Sequence, residues 1–264
     1  MMAIARPSVA SLFIEMKFRN QVLAAGTAFV ARGPHGSLLF TNRHNVTGRH
    51  QDTGACLSST GGVPDRIVIY HNRAGALGQW FPVEELLFDD ETPRWLEHPT
   101  LGAKADLVGI PMQNLAGVEL VEYNLETAST PILVGISDPV SVIGFPFGIR
   151  VAGSLAVWAT GFVASELDVD HDALPMFLVD CRSRRGQSGS PVVAYRSGGA
   201  VAMANGGSAV FSGPVEKLMG IYSGRVNEES DLGRVWKTSA IAAVLRRLAP
   251  NPFDMKPLDI NLSL

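Results

Sequence analysis

The sequence predicts an all-β protein of the sandwich or barrel type. Short runs rich in β-branched and aromatic residues recur along the chain, and they are separated by glycine, proline, asparagine and aspartate. Many short strands with turn signals at close spacing are typical of a sandwich or barrel. Long helices do not alternate with these runs, so a parallel α/β sheet is not expected.

The strand predictions follow from apolar or alternating segments bounded by turn residues. In chain order, the candidate strands are Ser11 to Phe18, Val22 to Arg32, Ser37 to Thr41, Arg66 to His71, Leu107 to Met112, Val140 to Ile143, Leu155 to Val163, Phe177 to Cys181, Pro191 to Tyr195, Val201 to Ala204 and Lys217 to Ser223.

One helix stands out after the last of these strands, from Ala240 to Ala249. Thr238 or Ser239 can cap its first turn, and Pro250 ends it. Apolar residues at helical spacing form one face, namely Ile241, Val244, Leu245 and Leu248.

Length and composition limit the class of protein. A chain of 264 residues is long enough for two compact units of roughly 100–130 residues each. With 46% apolar and 18% charged residues, it is not a disordered chain. A net charge of −3 creates no basic field, so we expect no nucleic-acid partner.

The sequence favours a cytoplasmic location. Glu15, Lys17 and Arg19 interrupt the apolar run near the N-terminus, which therefore does not resemble a signal peptide. No window approaches the roughly 18 consecutive apolar residues that a membrane span needs. Only 2 cysteines are present, Cys56 and Cys181, and this low number indicates a reducing compartment. Whether the two form a disulfide is left open.

The segment from Gly186 to Pro191 reads Gly-Gln-Ser-Gly-Ser-Pro and predicts a nucleophilic serine at Ser188. Flanking glycines permit a tight turn that exposes a hydroxyl and leaves backbone N–H groups free to face an oxyanion. A simple turn serine in a glycine-rich loop is the alternative. The nucleophile elbow of α/β-hydrolases does not fit, because position 190 is serine and a strand-like run follows.

A serine nucleophile needs a base, and His44 is the candidate. It follows the apolar run that ends at Thr41, which predicts a strand end facing a cleft. The other histidines are weaker candidates because no comparable segment surrounds them; they are His35, His50, His71, His98 and His171. No Cys-x-x-Cys or His-Glu-x-x-His pattern supports a metal site.

Asp106 is the candidate for the carboxylate that orients His44. It directly precedes the strand-like run Leu107 to Met112. Other aspartates also lie between the histidine and the serine, namely Asp65, Asp89 and Asp90, and these are expected to be solvated loop residues. The chain order His44, Asp106, Ser188 is the order used by the chymotrypsin arrangement.

These segments resemble the trypsin/chymotrypsin-like serine peptidase superfamily, and in particular its bacterial, cytosolic-type members. The resemblance covers most of the chain, from Gly26 to the helix before Pro250, and rests on Thr-Asn-Arg-His around His44 and on the segment around Ser188. It implies two packed antiparallel β-barrels with a C-terminal helix. The implied units are an N-terminal barrel over 1–120, a C-terminal barrel over 121–238, and a helix and tail over 239–264.

The resemblance also implies roles around the triad. The backbone N–H groups of Gly186 and Ser188 would form the oxyanion hole. Gln187 departs from the acidic residue of zymogen-type members, so activation by N-terminal clipping is not expected.

Substrate-binding roles are implied for four residues, namely Arg182, Ser223, Gly224 and Arg225. The two arginines suggest a preference for an acidic side chain before the scissile bond. The alternative is that either arginine faces solvent.

The sequence therefore predicts a serine endopeptidase that uses a Ser-His-Asp triad and an acyl-enzyme. Its partner would be a protein or peptide substrate, and it would need no cofactor or metal. A catalytically silent, protein-binding member of the fold is the alternative, and an esterase activity of the same site is a third hypothesis. A regulatory partner is left open. The apolar residues of the tail Asn251 to Leu264 are a hypothetical docking segment for such a partner.

Overall fold

The computed structural model describes residues 4–126, 131–227 and 229–248. The first half contains two short helices and eleven strands within these ranges. They are α1 Arg6–Ala10, β1 Ser11–Phe18, β2 Gln21–Gly33, β3 Gly36–Thr41, α2 Arg43–Thr47, β4 Arg66–Arg73, β5 Ala76–Leu86, β6 Phe88–Asp89, β7 Thr92–Pro93, β8 Leu96–Glu97, β9 Val108–Ile110, β10 Val118–Glu119 and β11 Glu122–Asn124.

Nine of these strands form one sheet. Its order is β10-β4-β1-β2-β3-β9-β8, with β5 added to β4 and β11 added in parallel to β2. A tight turn joins β2 to β3, where Gly33 pairs with Gly36. The short strands β6 and β7 form a separate hairpin. This order places β3 and β9 next to each other, so the chain segments that follow β3 and precede β9 meet at one edge.

The second half contains a closed barrel of six strands in the order β12-β13-β14-β19-β18-β15. The elements are β12 Pro139–Gly144, β13 Val157–Val163, β14 Met176–Asp180, β15 Pro191–Arg196, β16 Gly199–Ala202, β17 Ser208–Phe211, β18 Val215–Arg225, β19 Leu232–Lys237 and α3 Thr238–Leu245. The strands β16 and β17 form a hairpin outside the barrel. The segment around Ser188 lies in the loop between β14 and β15, where the barrel faces the first sheet.

Helix α3 packs into the core between the two units. Its residues Ile241, Val244 and Leu245 are buried with Phe29 and Ile221 in one apolar cluster. Full burial of an aliphatic side chain contributes about 1.5–3 kcal/mol. The helix therefore fixes the first sheet against the barrel and stabilises the cleft between them.

The predicted all-β class with a C-terminal helix is confirmed. Helix α3 begins at Thr238, one of the predicted caps, and β11 belongs to the first sheet although it lies beyond the expected boundary at residue 120. Cys56 and Cys181 are free thiols. No helix in the described ranges is long and apolar enough to cross a bilayer. The tail 251–264 lies outside the described residues.

Candidate active site

His44 lies on α2, a helix of one turn, rather than at the end of a strand as expected. The buried strand β3 ends at Thr41, and Asn42 in extended conformation begins the turn. Gly48 ends it with φ of +63°, and its N–H donates to the His44 carbonyl at 3.0 Å. A left-handed glycine at this position closes a short helix without steric cost. The turn holds the His44 side chain at the edge of β3.

Asp106 holds the His44 ring from the opposite segment, directly before β9. His44 Nδ1 lies 2.7 Å from Asp106 Oδ2, and the His44 backbone N–H donates to Oδ1 at 3.0 Å. Asp106 is 1% exposed. In a neutral imidazole, a carboxylate at this distance favours the tautomer that carries its proton on Nδ1.

Two further side chains fix Asp106. Ser223 Oγ donates to Asp106 Oδ2 at 2.6 Å. Asn42 Nδ2 donates to the Asp106 backbone carbonyl at 2.6 Å. The carboxylate therefore receives hydrogen bonds from both units, since Ser223 belongs to the barrel and His44 to the first sheet. These bonds offset the cost of burying its charge.

Ser188 is held next to α2 through its backbone. Its carbonyl accepts hydrogen bonds from the Thr27 N–H at 3.1 Å and from Asn45 Nδ2 at 3.3 Å. Asn45 directly follows His44, so α2 carries both the histidine and an anchor of the serine loop. Among the described residues, no hydrogen bond joins Ser188 Oγ to His44. Such bonds are often long in ligand-free enzymes and shorten when substrate binds.

The glycines at positions 186 and 189 are required by the path of this loop. Gly186 has φ of +93° and Gly189 has φ of +86°. A methyl group at Gly186 would collide with the Phe145 carbonyl, and one at Gly189 would collide with the Thr27 carbonyl. Only glycine fits both the positive φ and the lack of space. Within the described part of the chain, the N–H groups of Gly186 and Ser188 donate to no protein acceptor, so they remain free to bind an oxyanion.

Gln187 braces the loop from inside. Its side chain is fully buried, and its Oε1 accepts a hydrogen bond from the Arg184 N–H at 2.7 Å. Its backbone N–H donates to the Arg184 carbonyl at 3.2 Å, and its carbonyl accepts from the Ser190 N–H at 3.0 Å. A neutral amide makes these contacts without a cationic partner, so the loop is held by its own residues.

Thr27 also positions the serine loop, a role that the sequence analysis did not predict. Its hydroxyl donates to the Gly186 carbonyl at 2.8 Å and accepts from the Phe145 N–H at 3.2 Å. Together with its N–H bond to Ser188, it holds both ends of the loop from the first sheet. The segment beginning at Gly26 carried the family resemblance, but a threonine in a strand has no pattern that predicts such a role.

The four predicted substrate-binding residues lie in different environments. Ser223 is buried against Asp106, and Gly224 follows it with φ of +107° at the end of β18. Arg225 is half-buried, and its carbonyl accepts from Arg234 at 3.3 Å. The Arg182 side chain is 85% exposed, with Nε 3.9 Å from Asp231. That exposure is typical of a surface arginine rather than of the floor of a pocket.

A cleft of about 400 Å³ opens beside the Asp106–Ser223 pair. Its walls include Leu174, Met176 and Trp236 from the barrel side. This cleft lies on the Asp106 side of the Asp106–His44 pair, and His44 and Ser188 are not among its walls. A smaller pocket of about 50 Å³ reaches His44 and Asn45.

The other histidines lack this arrangement. Burial lowers the pKa of His71 to about 4. Burial also lowers the pKa of His98, and the nearby Arg246 adds to the effect. The His171 ring lies 3.3 Å from the exposed Asp172 carboxylate. In the described ranges, no group of three or more His, Cys, Asp or Glu side chains is placed to hold a metal ion.

Known structures share this architecture. The serine endoprotease from Yersinia pestis matches with a TM-score of 0.50 and 14% identity over 92% of this chain. The chain has the trypsin-like fold. It spans 64% of the length of that endoprotease. A protease from M. tuberculosis in its active form matches with a TM-score of 0.49 and 16% identity, over 93% of this chain and 83% of that one.

No protein-family model matches the sequence, and no curated protein matches it at a significant level. At 14% identity, the likeness to the Yersinia structure shows the fold alone.

Proposed function

We propose that this protein is a serine endopeptidase, with Ser188 as nucleophile, His44 as general base and Asp106 as the residue that orients His44. The observation that carries the proposal is the buried Asp106 carboxylate 2.7 Å from His44 Nδ1. Burying a carboxylate costs free energy unless the carboxylate is paired and hydrogen-bonded, as Asp106 is with His44. Its position behind a largely buried imidazole, 16% exposed, beside a serine loop is the arrangement of an acyl-transfer site.

The reaction proceeds in two halves. Ser188 Oγ attacks the carbonyl carbon of a peptide bond while His44 Nε2 takes the hydroxyl proton. The C–N bond breaks, the same proton passes to the leaving amine, and an ester to Ser188 remains. Water then attacks that ester, giving its proton to His44, and the carboxylic acid leaves as Ser188 regains its proton. Asp106 stabilises the imidazolium in both halves and does not itself take a proton.

The N–H groups of Gly186 and Ser188 would receive the negative charge that develops on the carbonyl oxygen. Each such donor contributes about 3–4 kcal/mol to stabilisation of the transition state. Because Gln187 and Thr27 hold the loop, these two amides are fixed before substrate arrives. Preorganised donors act without a cost of reorientation during the reaction.

The substrate would be a segment of protein chain in extended conformation. The end of β18 at Ser223 and Gly224 would pair through its backbone with this segment. A cytoplasmic location is part of the proposal and rests on the free thiols of Cys56 and Cys181.

A protein-binding module without catalysis is the second candidate. One observation favours it, namely that Ser188 Oγ makes no hydrogen bond to His44 within the described ranges. In that case, the cleft would bind a protein segment and release it uncleaved.

Incubation with a peptide library, followed by mass spectrometry of new termini, tests the proposal. The wild type is expected to generate new termini, whereas Ser188→Ala generates none. His50→Ala serves as a matched control, because His50 is a solvent-exposed histidine whose Nδ1 accepts local backbone N–H groups, from Asp52 at 3.2 Å and Thr53 at 3.3 Å. A folded wild type that binds library peptides without cleaving them would support the binding module instead.

A further inference from the structure

Tyr222 lies directly beside the residues that follow Ser188. The Gly189 N–H donates to the Tyr222 carbonyl at 3.0 Å, and the Tyr222 N–H donates to the Ser190 carbonyl at 2.9 Å. The next residue on β18 is Ser223, which donates to Asp106. Tyr222 therefore occupies the strand position between the serine loop and the Asp–His pair.

The Tyr222 side chain lies in the apolar core of the barrel, and its hydroxyl reaches the segment that leads to Ser188. It is 1% exposed and is among the largest fully buried side chains of the protein. Its hydroxyl makes a short hydrogen bond with Ser183 Oγ, on the residue that begins the loop leading to Ser188. The ring lies against Gly233 of β19, where even an added methyl group would collide with it. The ring thus spans from β18 to the start of the loop.

This position determines what can bind before the scissile bond. The reacting carbonyl must lie at Ser188 with its oxygen toward the N–H groups of Gly186 and Ser188. The side chain on the acyl side then points between two walls, the loop 183–188 and the end of β18. Tyr222 belongs to one wall and is hydrogen-bonded to the other, so its ring takes up the volume that a large side chain would need.

The ring is not easily displaced. Moving it would leave the Ser183 hydroxyl without its buried partner, and an unpaired buried hydroxyl is costly. Burial raises the pKa of Tyr222 to about 12, so the phenol stays protonated and able to donate at neutral pH. The ring packs in the same apolar cluster as Phe177 and Val235, and it lies so close to Gly233 that this position has no room for a side chain.

We infer that Tyr222 restricts the substrate residue immediately before the scissile bond to glycine, alanine or serine. The inference rests on the proposed endopeptidase function and names its substrate class. It replaces the acidic preference that Arg182 and Arg225 suggested, since Arg182 projects into solvent and Tyr222 fills the space between the walls.

Peptidyl diphenyl phosphonates test this directly, because they modify an activated serine and carry a chosen side chain at the position in question. Three reagents are compared, with the side chains of alanine, phenylalanine and aspartate. The alanine reagent is expected to inactivate the wild type at least about tenfold faster than either of the others, a discrimination of the size that pocket sterics provide. Equal or faster reaction of the phenylalanine or aspartate reagent would overturn the inference.

Two variants separate the ring from its hydroxyl. Tyr222→Val empties the space and is expected to raise the rate with the phenylalanine reagent at least about tenfold relative to the alanine reagent. Tyr222→Phe keeps the ring and is expected to keep the wild-type preference. If Tyr222→Val does not fold, Tyr222→Leu retains more of the buried volume and is expected to shift the ratio in the same direction. An unchanged ratio in a folded variant would contradict the role of Tyr222.

A fluorophosphonate without a side chain at that position distinguishes this inference from the proposed function. A folded wild type that the fluorophosphonate does not label would overturn the endopeptidase itself, and the inference with it. If the fluorophosphonate labels the wild type but the alanine phosphonate does not react, only the proposed restriction of the substrate residue by Tyr222 would be overturned.

Discussion

Thr27, in the first sheet, holds the backbone of Ser188, in the barrel. The Thr27 N–H donates to the Ser188 carbonyl at 3.1 Å, while the Thr27 hydroxyl donates to the Gly186 carbonyl at 2.8 Å. Both carbonyls belong to the loop whose N–H groups are the oxyanion donors of the proposed reaction. The orientation of those donors therefore depends on the packing of one unit against the other.

Replacement of Thr27 by valine, which keeps the shape, tests this dependence. The Gly186 carbonyl and the Phe145 N–H would both lose a buried partner, which costs about 1–3 kcal/mol each. We expect a lower free energy of unfolding and a fall in kcat/KM of at least about tenfold, because the loop loosens. Urea unfolding and the rate of fluorophosphonate labelling measure the two effects.

Thr160→Val is the matched control. Thr160 is exposed on β13, outside the serine loop, and its hydroxyl bonds to Ser141 at 2.9 Å. Its loss also removes a hydroxyl hydrogen bond and lowers stability, but the rate of labelling is expected to stay at the wild-type value. Equal effects of the two changes on labelling would contradict the positioning role of Thr27.

Asp106→Asn is expected to lower kcat by a factor on the order of 10³–10⁴ while the protein still folds, because an amide favours the wrong His44 tautomer. The amide also presents N–H donors to His44 and Ser223, which are donors themselves. Steady-state kinetics on a cleaved peptide measures the loss. Asp89→Asn is the control, since Asp89 pairs with Arg94 at 3.6 Å while 75% exposed. A drop of less than about tenfold for Asp106→Asn would contradict the assigned role.

Gly186→Ala is expected to abolish labelling of Ser188, because alanine fits neither the φ of +93° nor the space beside the Phe145 carbonyl. Gly206→Ala is matched in backbone conformation, since Gly206 has φ of +89° but no atom within 4 Å of an added Cβ. It is expected to lose some stability and to keep full labelling. Both variants share the cost of a positive φ, and only Gly186→Ala adds a steric collision. The difference between them therefore measures the effect of the collision. Full labelling of Gly186→Ala would show that this glycine is not needed.

Because His71 is buried, the free energy of unfolding is expected to depend on pH, independently of catalysis. Burial lowers its pKa to about 4 in the folded protein, from an ordinary value of 6.5. Between these values the unfolded chain binds the proton more readily, so stability rises with pH across this window. The contribution is complete above pH 6.5 and falls by about 3 kcal/mol as pH is lowered to 4.

Urea unfolding of wild type and His71→Gln between pH 4 and pH 7.5 measures this contribution. Glutamine carries no titrating group, so the difference in unfolding free energy between the two proteins is expected to change with pH. At pH 7.5 the wild type should be more stable by its largest margin. A difference that stays constant over this range would show that His71 is charged or exposed in the fold.

The predicted strands are those with continuous apolar or alternating runs, and β1 lies at Ser11–Phe18 as expected. Strand β5, Ala76–Leu86, was missed because its residues are half-exposed and Pro82 interrupts it. Strand β19, Leu232–Lys237, was not predicted, because its glycine, arginine and lysine leave too few consecutive apolar residues to indicate a strand. Neither segment shows a period that single-sequence patterns can detect.

Sequence motifs predicted His44, Asp106 and Ser188 as candidate site residues, and the structure places His44 Nδ1 2.7 Å from Asp106 Oδ2. The one-turn helix that carries His44 is too short to show helical periodicity. The roles of Thr27 and Tyr222 depend on contacts between segments far apart in the chain, and no local pattern encodes them. Arg182 was assigned by its distance along the chain from Ser188, but its side chain turns outward to solvent.

The central claim is that His44 activates Ser188. Intact-mass and peptide-level mass spectrometry after fluorophosphonate treatment tests it in the wild type, Ser188→Ala and His44→Ala. We expect one adduct per wild-type chain, located on Ser188, and at most a trace of adduct in either variant. A folded wild type without an adduct, or a His44→Ala variant labelled as fast as the wild type, would contradict the account.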